Sequence, residues 1–223
     1  MSPPTPSPQH KMMFSGGLRV IVHSHEGDLP DGLELGPVVA VDTETLGLSL
    51  VRDPLCVVQL SDGQGDAHVV RLNRPSYDCP NLKSLLSDPK CLKIFHFARF
   101  DVGMCKRHLD INVAPIFCTK IASKLARTYT DRHGLKDVVR ELVGVDLNKQ
   151  QQSSDWGANV LSEAQLHYAA SDVLYLHGAM DRLVEILTRE GRMHMAQACF
   201  DFLPVRADLD LLGWSETDIF SHT

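Results

Sequence analysis

Three short runs of apolar and branched residues crowd the first third of the chain, and their length leaves few architectures open. Pro37-Val38-Val39-Ala40-Val41, Leu55-Cys56-Val57-Val58-Gln59-Leu60 and Ala67-His68-Val69-Val70-Arg71-Leu72 suit buried strands better than helices. The turn-rich segment Ser61-Asp62-Gly63-Gln64-Gly65-Asp66 joins the last two as a hairpin with a longer loop. Lys93-Ile94-Phe95-His96 reads as a fourth strand, after which helical periodicity takes over. The pattern predicts helices over about 80–87, 99–109, 119–128, 134–143, 162–189 and part of 191–202. The longest opens on Ser162-Glu163-Ala164-Gln165, which fits a capping box ahead of an apolar-periodic run. Strands first and helices after predict an α/β domain: a mixed sheet with an N-terminal antiparallel meander, flanked by helices.

At 223 residues the chain suits one well-buried unit. Residues 1–10 carry four prolines and little that can be buried, so residues 1–13 read as a disordered tail and 14–223 as a single domain. No run of about 18 apolar residues occurs and no secretory signal leads the chain, which predicts a cytoplasmic protein with no membrane partner. The six cysteines never fall at C-x-x-C spacing, so buried free thiols are the better reading. A net charge of −6 argues against a protein that grips long nucleic acid, whose affinity comes from many Lys and Arg contacts to phosphate. A short substrate stays compatible with it.

Against this background a few polar residues stand out. Asp42 and Glu44 follow the first apolar run, and the two-residue period of a strand puts both carboxylates on one face. Asp101 lies where the fourth strand leads into a helix, a place that also suits an ordinary helix-start acid. Tyr168 and Asp172 are four apart on the long helix, about 40° from each other. Asp172 stands among Ala169, Ala170, Val173 and Leu174, where an acid is costly without a metal or a partner. Each feature alone has an ordinary structural explanation.

Together, Asp42-Thr43-Glu44, Phe100-Asp101 and Tyr168-Ala169-Ala170-Ser171-Asp172 resemble the three exonuclease motifs of the DEDD superfamily. Gly134-Leu135-Lys136 and Ser154-Asp155-Trp156 resemble its ribonuclease D branch. Asp42 to Leu48, Phe117 to Leu125, Arg127 to Lys136, Gln150 to Trp156 and the C-terminal Phe202-Leu203-Pro204 and Gly213-Trp214 are similar to the nanoRNase C group of diribonucleases. The resemblance implies a ribonuclease H-like fold and a DEDDy 3′–5′ exonuclease. His167 offers the histidine variant of the third motif, but it would lie about 140° from Asp172 on an ideal helix, so Tyr168 is favoured. Phe97 departs from the Asn that many relatives carry after the equivalent of His96.

The resemblance further implies two divalent cations per site, Mg²⁺ or Mn²⁺, held by Asp42, Glu44, Asp101 and Asp172, with Tyr168 orienting the attacking water. Short RNA, above all a 5′-phosphorylated diribonucleotide, would be the substrate and nucleoside 5′-monophosphates the products. Thr43, His96 and Trp156 would line the substrate site. Leu46 and Leu48 would wedge against the bases, or serve as packed turn residues. Arg127, Tyr129, Arg132, His133, Lys136 and Gln151 offer donors for a 5′ phosphate, although such a loop is often merely solvated. A closed homo-oligomeric ring, an octamer, is also implied, and the apolar residues after Phe200 would supply its contacts. The alternatives are a broader exonuclease acting on longer RNA or DNA and a catalytically silent nucleic-acid-binding module.

Overall fold

The structure, a computed structural model, describes residues 7–147 and 154–222. Seven strands form one mixed sheet: β1 (Gln9–Met13), β2 (Arg19–Glu26), β3 (Val38–Thr45), β4 (Leu55–Ser61), β5 (Asp66–Arg71), β6 (Leu92–Phe95) and β7 (Ile116–Cys118), in the spatial order β1-β2-β5-β4-β3-β6-β7. The expected meander is its middle: β3, β4 and β5 pair antiparallel in succession. β6 and β7 continue parallel to β3, while β2 pairs parallel to β5 and β1 closes that side antiparallel to β2.

Three strands depart from the sequence expectation. Gln9–Met13, assigned to the tail, is strand β1 and hydrogen-bonds along β2 from Gln9↔His23 to Met13↔Arg19. Its polar composition hides it, because an edge strand needs one partner and buries little. β2 escapes the pattern because histidine occupies positions where an aliphatic residue would have signalled burial. His25 is buried and donates to or accepts from His68 across the β2–β5 pair, at 2.9 Å. β7 has only three residues and is fully buried.

The helices are α1 (Pro80–Ser87), α2 (Ala98–Leu109), α3 (Thr119–Ala126), α4 (Leu135–Leu142), α5 (Glu163–Leu174), α6 (Leu176–Arg189) and α7 (Met193–Leu209). The segment expected as one helix over 162–189 is two, broken at Tyr175, whose φ of −106° and ψ of 0° leave the helical region. α5 lies across β2, β3, β4 and β5. α6 instead turns to α3 and α4, and the break allows that change of direction. α7 runs further than expected, to Leu209, and packs on α2. A buried carboxylate holds this contact: Arg99 of α2, itself partly exposed, donates to both oxygens of Asp210 at 2.6 and 2.7 Å, and Arg206 of α7 donates to the same carboxylate at 2.9 Å.

β4 is buried at every position, as a central strand covered on both faces must be. That explains its continuous apolar run and sets it directly beside the strand that carries the acids. The start of α5 is fixed by a complete capping box, with Gln165 N–H donating to Ser162 Oγ at 3.2 Å and the Ser162 N–H donating to Gln165 Oε1 at 3.0 Å. Removing one such cap costs about 1 kcal/mol. Ser162→Ala should therefore lower the melting temperature by about 2–4 °C in a circular dichroism melt, and an unchanged melt would show that tertiary packing alone positions α5.

Candidate active site

The acids reach one cleft from three elements. β3 supplies Asp42 and Glu44 on one face, the first turn of α2 supplies Asp101, and α5 supplies Tyr168 and Asp172. One carboxylate oxygen each from Asp42, Glu44 and Asp172 lies within 4.8 Å of the others. Asp101 is held from the strand side: the Thr43 hydroxyl donates to its Oδ1 at 2.6 Å, and the Thr43 backbone N–H donates as well. The cleft around these groups has a volume of about 620 Å³.

Burial and crowding raise the proton affinity of Asp42, Glu44 and Asp101. Burial first, and then the charges of Asp101, Asp172 and Glu44, push the Asp42 carboxyl well above the usual carboxylate range. Burial and the charges of Asp172 and Asp101 lift Glu44 to about 9, and burial lifts Asp101 to about 7. Gln59 opposes this trend. Its register partner across β3 and β4 is Asp42, its amide donates to Asp42 Oδ2 at 2.6 Å, and a bond to Glu44 lowers that group's proton affinity. Clustered, partly dehydrated oxygen donors with mutually raised proton affinity fit a hard divalent cation, whose charge would remove the repulsion.

Tyr168 is nearly buried, and its phenol is pushed far above its ordinary value by burial first, then by Asp172, Glu44 and Asp42. Its hydroxyl bonds Asp172, and Trp156 packs against its ring with centroids 5.9 Å apart. His167 points elsewhere: it stacks on Phe14 at 4.1 Å and bonds the Met13 carbonyl at 3.1 Å.

Of the residues expected to meet substrate, Thr43, Leu46, Leu48, His96 and Trp156 line the cleft with the five acidic and phenolic residues. His96 Nδ1 also bonds the Thr119 hydroxyl at 2.9 Å. Leu46 is half exposed and lies beside Gly157, and Leu48 is 86% exposed, so both leucines are presented at the mouth of the cleft. The proposed phosphate-capping donors fare differently. Arg127, Tyr129, Arg132, His133 and Lys136 are absent from the cleft lining. The Arg127 guanidinium is fully buried and donates to the Glu141 carboxylate, to Ser123 Oγ at 2.9 Å and to the Arg132 carbonyl at 2.7 Å. Tyr129 donates to Glu141 as well, and His133 Nδ1 pairs with Ser123 Oγ at 2.9 Å. These groups stabilise the passage from α3 to α4, because a buried guanidinium must satisfy its donors internally. Gln151 lies outside the described residues.

Sequence reasoning left three contributors unassigned. Lys120, from the first turn of α3, and Phe97, ahead of α2, both line the cleft. Gln59 had a visible signal, as the one amide inside an apolar central strand, but its function depends on cross-strand register, which the sequence does not display.

Comparison with known proteins follows the same line. A 3′–5′ exonuclease family model matches residues 26–188. NrnC of Brucella melitensis, solved with bound Mg²⁺, is 52% identical, superposes with a TM-score of 0.87, and is covered over 91% of this chain and 99% of its own. The same nuclease bound to pGG is 53% identical with a TM-score of 0.88, over 91% of this chain and 98% of its own. Ribonuclease D of Gluconacetobacter diazotrophicus is 38% identical over 157 residues, 70% of this chain and 39% of that protein. The chain thus spans about two fifths of the length of the curated ribonuclease D relatives it matches. The fold is that of the ribonuclease H-like exonucleases.

The raised proton affinities have a stability consequence. Folded-state values above the unfolded ones contribute stability that is full in acid, below about pH 4, and is lost as Glu44 and Asp101 ionise on the way to about 9 and about 7. In EDTA the melting temperature should fall between pH 5 and pH 9, less so in Glu44→Gln, and Mg²⁺ or Mn²⁺ should abolish most of the fall. A decline identical with and without metal, measured by differential scanning fluorimetry, would exclude these carboxylates as its source.

Proposed function

We propose a function from one premise: the chain belongs to the 3′–5′ exonuclease family that matches residues 26–188, and it is a hydrolytic exonuclease of the ribonuclease D and NrnC kind. Its substrate on this reading is short RNA, most of all 5′-phosphorylated diribonucleotides, cleaved to nucleoside 5′-monophosphates. The observation that carries the reading is the convergence of Asp42, Glu44 and Asp172 within 4.8 Å, beside a phenol bonded to Asp172.

On this reading Asp42, Glu44 and Asp172 hold one divalent cation, and Asp42 with Asp101 a second, Mg²⁺ or Mn²⁺. Bound there, the pair supplies charge neutralisation and Lewis-acid polarisation at the scissile phosphodiester. The chain's own groups do the positioning. Gln59 and Thr43 fix the carboxylates by 2.6 Å hydrogen bonds, so the ligand oxygens are held before substrate arrives. Tyr168 keeps its proton, so its hydroxyl orients the attacking water and does not act as the base that deprotonates it. Leu46 and Leu48 stand where they can separate two neighbouring bases.

Several observations support the short substrate. The chain carries a net charge of −6 and little basic surface to follow a long strand. Two of the candidate phosphate donors, Arg127 and Tyr129, are committed to Glu141. The Brucella relative was solved with pGG, a two-nucleotide ligand. The ring-shaped homo-oligomer, an octamer, belongs to the same reading. Leu212, Trp214, Ile219 and Phe220 are exposed apolar residues at the C-terminal end and suit a partner copy. Cytoplasmic RNA turnover is the setting it fits, and no described helix is long and apolar enough to cross a membrane.

Asp42→Asn or Asp172→Asn should reduce hydrolysis of a labelled diribonucleotide by at least about 10³-fold with folding intact; activity within tenfold of wild type would sink the metal-ligand assignment. Tyr168→Phe should lower kcat by roughly 10²-fold with little change in KM, while His167→Ala leaves kcat nearly unchanged. The opposite ranking would make His167 the functional residue. Time courses on 5′-labelled RNAs of two to ten nucleotides should show the two-nucleotide substrate turning over much faster than the longest. Equal rates would favour the broader exonuclease acting on longer RNA or DNA.

A further inference from the structure

We propose that Phe97 is a base-stacking platform in the cleft: the Lys120 ammonium lies over one face of its ring, and a nucleobase of the bound substrate stacks on the exposed remainder. The inference rests on the short-RNA reading and adds to it a residue that holds substrate through a base rather than its phosphate.

An aromatic ring at position 97 is one the fold does not need. Phe97 precedes α2 with φ 69° and ψ 42°, the left-handed region that glycine or asparagine adopts far more readily than an aromatic residue. Its side chain caps nothing, since the N-terminus of α2 receives no side-chain hydrogen bond from this position. It is not a core residue either, because 44% of it is exposed. Backbone preference, capping and burial therefore all fail to account for an aromatic ring here.

The cleft accounts for it. Phe97 lines the same cavity as the acids and stands one helical turn before Asp101. Lys120 reaches over from α3 and places its ammonium 4.2 Å from the ring centroid, an arrangement in which the cation is drawn to the negative face of the ring. That contact occupies one face and restricts the ring's rotation. Exposed aromatic surface beside a phosphodiester-cleaving site is suited to stacking, which tolerates every base because each has a π face. Leu46 and Leu48 supply further apolar surface in the same cavity.

The test compares a 5′-phosphorylated diadenylate with two analogues, each lacking one of its two bases. Phe97→Ala should lower kcat/KM on the intact substrate about tenfold, mostly through KM, and Phe97→Trp should restore it to within about twofold. The loss should vanish on the analogue missing the base that stacks. An equal loss on all three substrates, or none on any, would overturn the platform, as would a loss that tracks a change in oligomeric mass by light scattering, which would place the ring against a second copy. A wild-type enzyme inert on short RNA would remove the underlying reading and this proposal with it. Wild-type turnover with an indifferent Phe97→Ala would remove the platform alone.

Discussion

The mutual repulsion of Asp42, Glu44, Asp101 and Asp172 is the constraint around which the rest of the molecule is arranged. Four acids in a half-buried cleft favour unfolding unless they are protonated or neutralised, and the raised proton affinities of Asp42, Glu44 and Asp101 measure that pressure. The fold withstands it because every acid sits on a rigid element. β3 is paired on both sides, to β4 and β6. α5 is capped at its start and laid across four strands, and α2 is tied to α7 through the Arg99–Asp210–Arg206 pair. A site that carries strain of this kind needs supports whose own stability lies elsewhere.

The supports also explain why the cleft can be chemically specific while its acids repel. Gln59 is placed opposite Asp42 by strand register, and a slip of one residue would point the amide to the other face of the sheet. Thr43 alternates with Asp42 and Glu44 along β3, yet its hydroxyl reaches Asp101 on α2. One strand thus presents two of the acids directly and orients a third through the residue between them. The break at Tyr175 completes the arrangement: α5 stays against the sheet to hold Tyr168 and Asp172, while α6 departs to pack on α3 and α4.

Much of this was legible in the sequence, for definable reasons. Interior strands and the capped helix announce themselves because burial on a regular period leaves a regular pattern, and the D-x-E and Y-x-x-x-D spacings survive translation into geometry because each lies within one element. What was hidden depends on partners distant in sequence. β1 and β2 carry histidine, lysine and glutamine among their residues, and they form strands by pairing, β2 along β5 and β1 along β2. Arg127 looked like a free donor because nothing in its neighbourhood shows that Glu141, a turn and a helix later, takes its charge. The role of Gln59 appears only when strand register sets it against Asp42.

The same distinction between local and distant partners bears on how the cleft can select its substrate. Strong phosphate capture would require free guanidinium or ammonium groups at the mouth, and Arg127, at the start of the candidate loop after α3, is committed to Glu141. Lys120 is the basic side chain among the described residues lining the cleft, and its ammonium rests on an aromatic ring. Neutral surface is left for selection, with Leu46, Leu48, Phe97 and Trp156 among the side chains that supply it. An acidic protein with a metal-fitting floor and an apolar mouth can discriminate by how many bases it can seat, a property that favours small substrates without requiring attraction to a long polyanion.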